Sequence, residues 1–178
     1  MSYFDELKKS MNWLAGQNDT LFVGQAVAVP GTAMFNTLKE VPERQRIELP
    51  VFEDTQMGMS LGMTLAGKRI ISVFPRWNFL LCATNQLINH VDKYKSMSGG
   101  EVTPSLIIRT SVGSERPLFP GHQHIGNYSG AFRQMLENVD VVELEEPEQI
   151  LTEYQHAYQR TDGRSTLLVE FGDYYNEK

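Results

Sequence analysis

Short apolar runs rich in β-branched and aromatic residues alternate with helix-like segments along the whole chain. The runs predict six strands, none of which has a polar face. These strands cover residues 21–27, 46–51, 69–74, 105–110, 140–144 and 166–171. Strands that are apolar on both faces are typical of parallel sheets covered by helices. The pattern therefore predicts an α/β fold with a mainly parallel, twisted sheet and helices on both faces.

The segments between these runs have apolar residues at helical spacing. They predict helices over residues 3–15, 53–66, 77–97, 128–137 and 147–159, and a loop with a short helix over residues 31–38. The segment 77–97 predicts one long helix, which Gly99 and Gly100 end. Because the chain has 178 residues and no linker-like stretch, we expect a single domain over residues 1–178.

Composition and charge exclude several classes of protein. The 16 Lys and Arg residues against 22 Asp and Glu give a net charge of −6, without the basic patch of a nucleic-acid-binding protein. The single cysteine, Cys82, excludes a disulfide framework, and its apolar neighbours predict a small buried side chain. No apolar run is long enough to span a membrane, and the first residues do not resemble a signal peptide. We therefore expect a cytoplasmic protein that binds neither nucleic acid nor membranes.

The junctions between strands and helices are the candidate sites, because ligands of parallel sheets bind beyond the carboxyl ends of the strands. Glu53 follows one strand and begins a helix, where the helix dipole favours an acid. The apolar residues Val51, Phe52 and Met57 around it support a second interpretation. In apolar surroundings a carboxyl group can hold or donate a proton near neutral pH. Gly58 and Gly62 in the same helix predict a tight helix contact, either within the monomer or between subunits.

Two further junctions carry candidate ligand contacts. Of the aromatic residues Phe74, Trp77 and Phe79, we expect two in the core and one stacked on a flat ligand. His122 and His124 lie in a loop rich in glycine and proline. They are candidate metal ligands, although no cluster of Cys or carboxylate residues accompanies them. The other interpretation is that these histidines act as a general acid or base or form hydrogen bonds with a substrate.

Read in order, these junctions resemble one family. The matching segments are Leu21-Phe-Val-Gly24, Leu49-Pro-Val-Phe-Glu-Asp-Thr-Gln-Met-Gly58, Phe74-Pro-Arg-Trp-Asn-Phe79, Asn85-Gln-Leu-Ile-Asn89, Met97-Ser-Gly-Gly100 and Gln123-His124. The chain resembles the pyrimidine-binding domain of thiamine diphosphate-dependent enzymes in the transketolase-like superfamily. It is most similar to the beta subunit of the decarboxylating component of 2-oxo acid dehydrogenases, without that subunit's C-terminal domain.

The resemblance implies roles for the junction residues. Glu53 would hydrogen-bond a ring nitrogen of the cofactor's aminopyrimidine and act in catalysis. Phe79 would pack on the pyrimidine, Pro75 would line its pocket, and Gln25 would lie at a cofactor-binding position where the family usually has glutamate. His124 would be the active-site histidine that contacts the substrate, with His122 beside it.

The resemblance also implies a partner chain. The family's Gly-Asp-Gly…Asn motif, which binds Mg²⁺ and the diphosphate, is absent here. An alpha-like chain would therefore hold both groups, in a heterotetramer in which neither chain is active alone. The implied activity is decarboxylation of a 2-oxo acid and transfer of the acyl or aldehyde fragment. Alternatives are ketol transfer from a ketose, simple 2-oxo acid decarboxylation by a split enzyme, and a non-catalytic interaction module.

Overall fold

The computed structural model describes all 178 residues and contains one six-stranded sheet. The strands are β1 Thr20–Gly24, β2 Arg46–Glu48, β3 Arg69–Val73, β4 Ile107–Val112, β5 Val139–Glu143 and β6 Ser165–Phe171. Their order is β2-β1-β3-β4-β6-β5, and every neighbouring pair is parallel. The predicted α/β fold is confirmed.

Helices cover both faces of the sheet. They are α1 Tyr3–Ala15, α2 Ala33–Asn36, α3 Glu53–Leu65, α4 Trp77–Leu80, α5 Thr84–Gln86, α6 Tyr94–Met97, α7 Ser129–Met135, α8 Pro147–Gln159 and α9 Tyr174–Glu177. Consecutive strand residues alternate between two separate cores, since Phe22 packs with α1 and α8 while Val23 packs with α3. None of the helices combines the length and the apolar character that crossing a membrane requires.

The segment 77–97 is not the single continuous helix that the sequence predicted. It is divided into short α-helical turns, a 3₁₀ turn at Leu81–Ala83 and a π-helical turn at Leu87–Val91. Polar side chains compete for its backbone groups: the hydroxyl of Thr84 donates to the carbonyl of Leu81. Apolar periodicity placed the segment on the sheet correctly but could not show these local breaks.

Other expectations also differ from the structure. Cys82 is exposed rather than buried, because its irregular turn directs it away from the sheet. Strand β1 ends at Gly24 instead of residue 27, since Gly24 adopts a φ of 142° and the chain leaves the sheet there. Strand β4 begins and ends two residues later than predicted, and α9 is a short helix that the sequence did not predict.

A buried ion pair joins strands β4 and β6. The side chains of Arg109 and Glu170 are both fully buried, with Nε 2.5 Å from Oε1 and Nη2 3.0 Å from Oε2. The hydroxyl groups of Tyr154 and Tyr175 donate to the same carboxylate. Burial alone would lower the pKa of Arg109, but the adjacent Glu170 raises it, so the guanidinium stays charged. Burial and Glu170 together raise the pKa of Tyr154, which keeps that hydroxyl a donor.

Candidate active site

The end of β1 packs too tightly for any residue except glycine. A Cβ atom at Gly24 would lie 2.2 Å from the carbonyl oxygen of Val73 and 2.5 Å from Nε2 of Gln56. The φ of 142° at this position also disfavours other residues. Gly24 thus lets the chain turn out of the sheet directly into Gln25, whose own N–H donates to the carbonyl of Val73 at 3.3 Å.

The carboxylate of Glu48 holds the loop that follows β1. One oxygen accepts from the N–H of Ala26 at 2.8 Å, and the other accepts from Val27, Ala28 and Val29 at 2.8, 2.7 and 3.3 Å. Hydrogen bonds between a carboxylate and backbone N–H groups are stronger than neutral ones. They support the left-handed conformation of Ala26, whose φ is 57°. Glu48 therefore fixes the backbone immediately after Gln25.

Gln25 and Glu53 form a buried hydrogen-bonded pair. Nε2 of Gln25 donates to Oε1 of Glu53 at 3.1 Å, and each residue is less than a tenth exposed. Oε2 of Glu53 accepts no hydrogen bond from the chain. The apolar setting differs from the one that the sequence suggested, because Val51 and Phe52 are 67% and 68% exposed. Burial against the sheet, rather than the sequence neighbours, separates Glu53 from solvent.

A cavity of about 580 Å³ opens at the carboxyl ends of the central strands, and Gln25 lines it while Glu53, its hydrogen-bond partner, does not. Gln25, Pro75 and Phe79 all line it, together with Ser111 at the end of β4. A volume in this range is typical of small-molecule sites. Phe79 is half-buried, so part of its ring is available to a ligand, whereas Trp77 is fully buried in the core. Phe74 and Trp77 are therefore the two core aromatic residues that were expected, and stacking of Phe79 on a ligand stays a prediction.

His124 lies next to Phe79, and both its ring and its backbone are held in place. Its Nδ1 is 2.9 Å from Oδ1 of Asn78, and its ring centroid is 6.2 Å from that of Phe79. Its carbonyl oxygen accepts from the N–H of Gly113 at 3.1 Å. His122 is exposed and packs edge-on against Phe119, with the ring centroids 5.1 Å apart. The two histidines thus have different surroundings, and His124 is the one beside the cavity wall.

Some residues of this region were missed by sequence reasoning. Glu48 orders the loop after Gln25, Asn78 orients His124, and Arg76 lines the cavity. Asn78 and Arg76 could have been predicted as site residues, because they lie within the junction at residues 74–79, where every residue is near the strand end. The role of Glu48 could not be predicted from the sequence, because its partners are backbone N–H groups of another segment.

The two glycines of α3 have different surroundings. A Cβ at Gly58 would meet the side chain of Gln86 at 3.4 Å, while Gly62 has nothing within 4 Å and is exposed. Only Gly58 therefore lies against a neighbouring segment of the same chain.

No group of three or more His, Cys, Asp or Glu side chains is placed to hold a metal ion.

Comparison with known proteins identifies the relatives of this chain. It is 28% identical over 132 residues to the pyruvate dehydrogenase E1 component subunit beta of Rickettsia bellii, covering 72% of this chain and 40% of that protein. It is 30% identical over 126 residues to the subunit of the same name in Rhizobium meliloti, covering 68% and 27%. The chain is homologous to E1 beta subunits. It spans less than half the length of these relatives. No protein-family model matches the sequence.

Solved structures agree on the fold of this E1 beta homologue. A split-gene transketolase, described as an inactive beta4 tetramer, superimposes with a TM-score of 0.72 at 14% identity, covering 96% of this chain and 51% of that one. A putative thiamin diphosphate-dependent enzyme from Mycobacterium smegmatis gives 0.67 at 15% identity, covering 98% and 31%. The predicted resemblance to the transketolase-like fold is confirmed.

Proposed function

We propose that this chain is the beta-like subunit of a two-chain, thiamine diphosphate-dependent enzyme. The enzyme decarboxylates a 2-oxo acid and transfers the resulting acyl or aldehyde fragment. Residues 1–178 would form a single pyrimidine-binding domain. The 2-oxo acid reaction is preferred over ketol transfer because the E1 beta relatives are named as subunits of pyruvate dehydrogenase, whose name specifies a 2-oxo acid.

The observation that carries this proposal is the buried pair of Gln25 and Glu53 beside the cavity. Its hydrogen bond occupies Oε1 of Glu53 and leaves Oε2 without a partner from the chain. Oε2 is not one of the fully buried side-chain atoms that lack a partner, so a water molecule or a ligand can reach it and donate a hydrogen bond. A nitrogen of a flat heterocycle is a suitable partner, since Phe79 offers a ring face nearby in the same region.

The residues present fit the pyrimidine end of thiamine diphosphate. Glu53 would hydrogen-bond a ring nitrogen, Phe79 would pack on the ring, and Pro75 and Gln25 would complete the pocket wall. When bound, the cofactor supplies the electron sink that decarboxylation of a 2-oxo acid requires. The contribution of this chain is to hold a proton at Oε2 of Glu53, to orient the ring, and to present His124 to the substrate.

An alpha-like partner chain would supply Mg²⁺ and the diphosphate contacts, in a heterotetramer. Three large apolar side chains on and just before α3 are exposed: Val51, Phe52 and Met59 are 67%, 68% and 43% accessible. Exposed apolar side chains close to a candidate site are typical of surfaces that bind a partner. The partner surface would therefore begin next to Glu53, and the cofactor would lie between the two chains.

The binding of thiamine diphosphate tests this proposal. Calorimetric titration of the cofactor with Mg²⁺ should give heat with the chain co-purified with its alpha-like partner, and little or none with the chain alone. The reason is that this chain contacts only the pyrimidine, while most of the charge lies on the diphosphate. Absence of binding in the co-purified complex would contradict the proposed function.

Two phenylalanine variants make the same titration specific for the site. Phe79→Ala should weaken cofactor binding by about tenfold, because a stacked ring contributes roughly 1 kcal/mol beyond its buried area. Phe119→Ala removes an equal side chain that does not line the cavity and should leave the affinity unchanged. Equal affinities of the Phe79 variant and the unmodified complex would place Phe79 in the core instead.

His124→Ala should separate substrate conversion from cofactor binding. In the assembled enzyme we expect kcat to fall by roughly 10²-fold, the usual size of a lost acid–base or hydrogen-bonding group. The calorimetric affinity for thiamine diphosphate should stay within about twofold. His122→Ala is the matched control, since that side chain is exposed and packs on Phe119. A loss of cofactor affinity in the His124 variant would contradict a role for His124 toward the substrate.

A further inference from the structure

Arg76 is a half-buried arginine without any partner in the chain. It begins the turn after β3, where residue 76 has φ −151° and ψ 161°, and it lines the cavity beside Gln25 and Phe79. Its guanidinium makes no hydrogen bond, ion pair or stacking contact, although other arginines of the chain, such as Arg109 and Arg133, pair with carboxylates. An arginine that is partly removed from water without a counter-charge has a strong tendency to bind an anion.

The other residues around the cavity do not neutralise this charge. The cavity lining includes two arginines, Arg76 and Arg116, and no aspartate or glutamate. Arg116 is already paired with Glu177 and with Asp173, whose Oδ2 lies 3.2 Å from its Nη2. The chain as a whole has a net charge of −6. Asp173 and Glu177 pair with Arg116, and Glu53 is hydrogen-bonded to Gln25, so the one unpaired charge among the lining residues belongs to Arg76.

The stem of Arg76 is held against the segment that carries His124. A Cβ at Gly113 would lie 3.5 Å from Cδ of Arg76 and 2.1 Å from the carbonyl oxygen of His124. Gly113 thus allows the two segments to approach closely, with Arg76 on one side and His124 on the other. An anion on Arg76 would lie in the cavity that Phe79 also lines, close to the segment that carries His124.

We propose that Arg76 binds the negatively charged group of the substrate and thereby selects anionic substrates. The inference rests on the proposed function, which places the substrate in this cavity. The group recognised is an oxyanion, either the carboxylate of a 2-oxo acid or the phosphate of a phosphorylated ketose. The planar guanidinium forms paired hydrogen bonds with both.

The test is a nuclear magnetic resonance titration of the full ¹⁵N-labelled chain at constant ionic strength. The probes are pyruvate, inorganic phosphate, and hydroxyacetone as an uncharged ketone of similar size. The signals to follow are the side-chain Nε–H of Arg76 and the backbone N–H groups of Phe79 and His124. The same titrations are repeated on Arg76→Gln and Arg44→Gln. Arg44 is also unpaired, but it is exposed and lies at the amino end of the strands.

We expect saturable binding of pyruvate or phosphate with a Kd of about 1 mM, and no saturable binding of hydroxyacetone. Arg76→Gln should weaken the binding by about tenfold, which corresponds to about 1.4 kcal/mol, while Arg44→Gln should leave it unchanged. Saturation by pyruvate alone would assign a carboxylate, saturation by phosphate alone would assign a phosphate, and saturation by both would support the shared oxyanion site.

Three results would overturn the proposal: no saturable binding of either anion, equal binding by Arg76→Gln, or an equal loss in Arg44→Gln. If Arg76→Gln does not fold, the unmodified chain still tests the proposal. In that chain the Arg76 Nε–H signal must shift with the same Kd as the Phe79 and His124 signals. Arg76→Lys should keep measurable binding, since it retains the charge. None of these measurements needs thiamine diphosphate or a partner chain, so failure here and failure of the cofactor titration are separate outcomes.

Discussion

Replacing Glu53 by glutamine is expected to lower the kcat of the assembled enzyme by at least about 10²-fold without unfolding the chain. The loss of a positioned proton-transfer group has this size. Glutamine has nearly the same shape and keeps a side-chain oxygen, so the hydrogen bond from Nε2 of Gln25 can persist. Because Gln25 cannot ionise, Glu53 is the only carboxyl group of this pair, and the variant leaves none.

The measurements are the rate of 2-oxo acid decarboxylation by the co-purified complex and the thermal unfolding of the variant chain. Asp54→Asn is the matched control, because it removes a neighbouring carboxylate that is exposed on the same helix. That variant should keep its activity within about twofold. If Glu53→Gln retained most of its turnover, Glu53 would be a helix-terminal acid and the assignment of the catalytic site would be wrong.

Replacing Arg109 by methionine is expected to lower the free energy of unfolding by about 3–5 kcal/mol. The variant leaves the carboxylate of Glu170 fully buried without its counter-charge, with only the hydroxyl groups of Tyr154 and Tyr175 as donors. Removing one partner of a buried ion pair is costly because the remaining charge has lost its water and keeps no counter-charge to compensate. Urea-induced unfolding at neutral pH, followed by circular dichroism, measures the difference.

Two further variants identify the cause of this loss. Arg133→Met breaks an exposed pair, in which Nη2 lies 2.7 Å from Oε2 of Glu143, and should cost less than about 1 kcal/mol. The double variant Arg109→Met, Glu170→Met removes both charges and should recover much of the stability lost in the single variant. If the double variant were as unstable as the single one, lost packing would explain the result and the unpaired charge would not.

Much of the fold was predictable because the apolar pattern acts locally and repeatedly. Helix α8 has the predicted bounds, Pro147–Gln159, since a proline begins it and its apolar positions keep helical spacing throughout. The irregular segment 77–97 was not predictable, because local contacts such as that of the Thr84 hydroxyl with the carbonyl of Leu81 alter the backbone without changing the apolar period. The exposure of Cys82 followed from the same irregularity and could not be inferred from its apolar neighbours.

Part of the candidate site was predictable in the same way. Parallel strands end at one edge, so Gln25, Pro75 and Phe79 were expected to be neighbours, and the structure places all three around one cavity. The residue pattern alone made both His122 and His124 candidates, and the family resemblance favoured His124. The structure gives the two different surroundings, because only His124 is held by Asn78 beside Phe79. Their different positions depend on how the loop 113–127 packs, which no local pattern encodes.

The sequence by itself determined the α/β class, the six strands, and the family resemblance carried by the junction residues, because these depend on residue type and spacing. Tertiary structure alone decided the contacts between residues far apart in the chain. It paired Gln25 with Glu53 and Arg109 with Glu170, and it left Arg76 unpaired in the cavity wall. A charged side chain finds or lacks a partner only once distant strands lie side by side, so the chemistry of this site is a property of the fold.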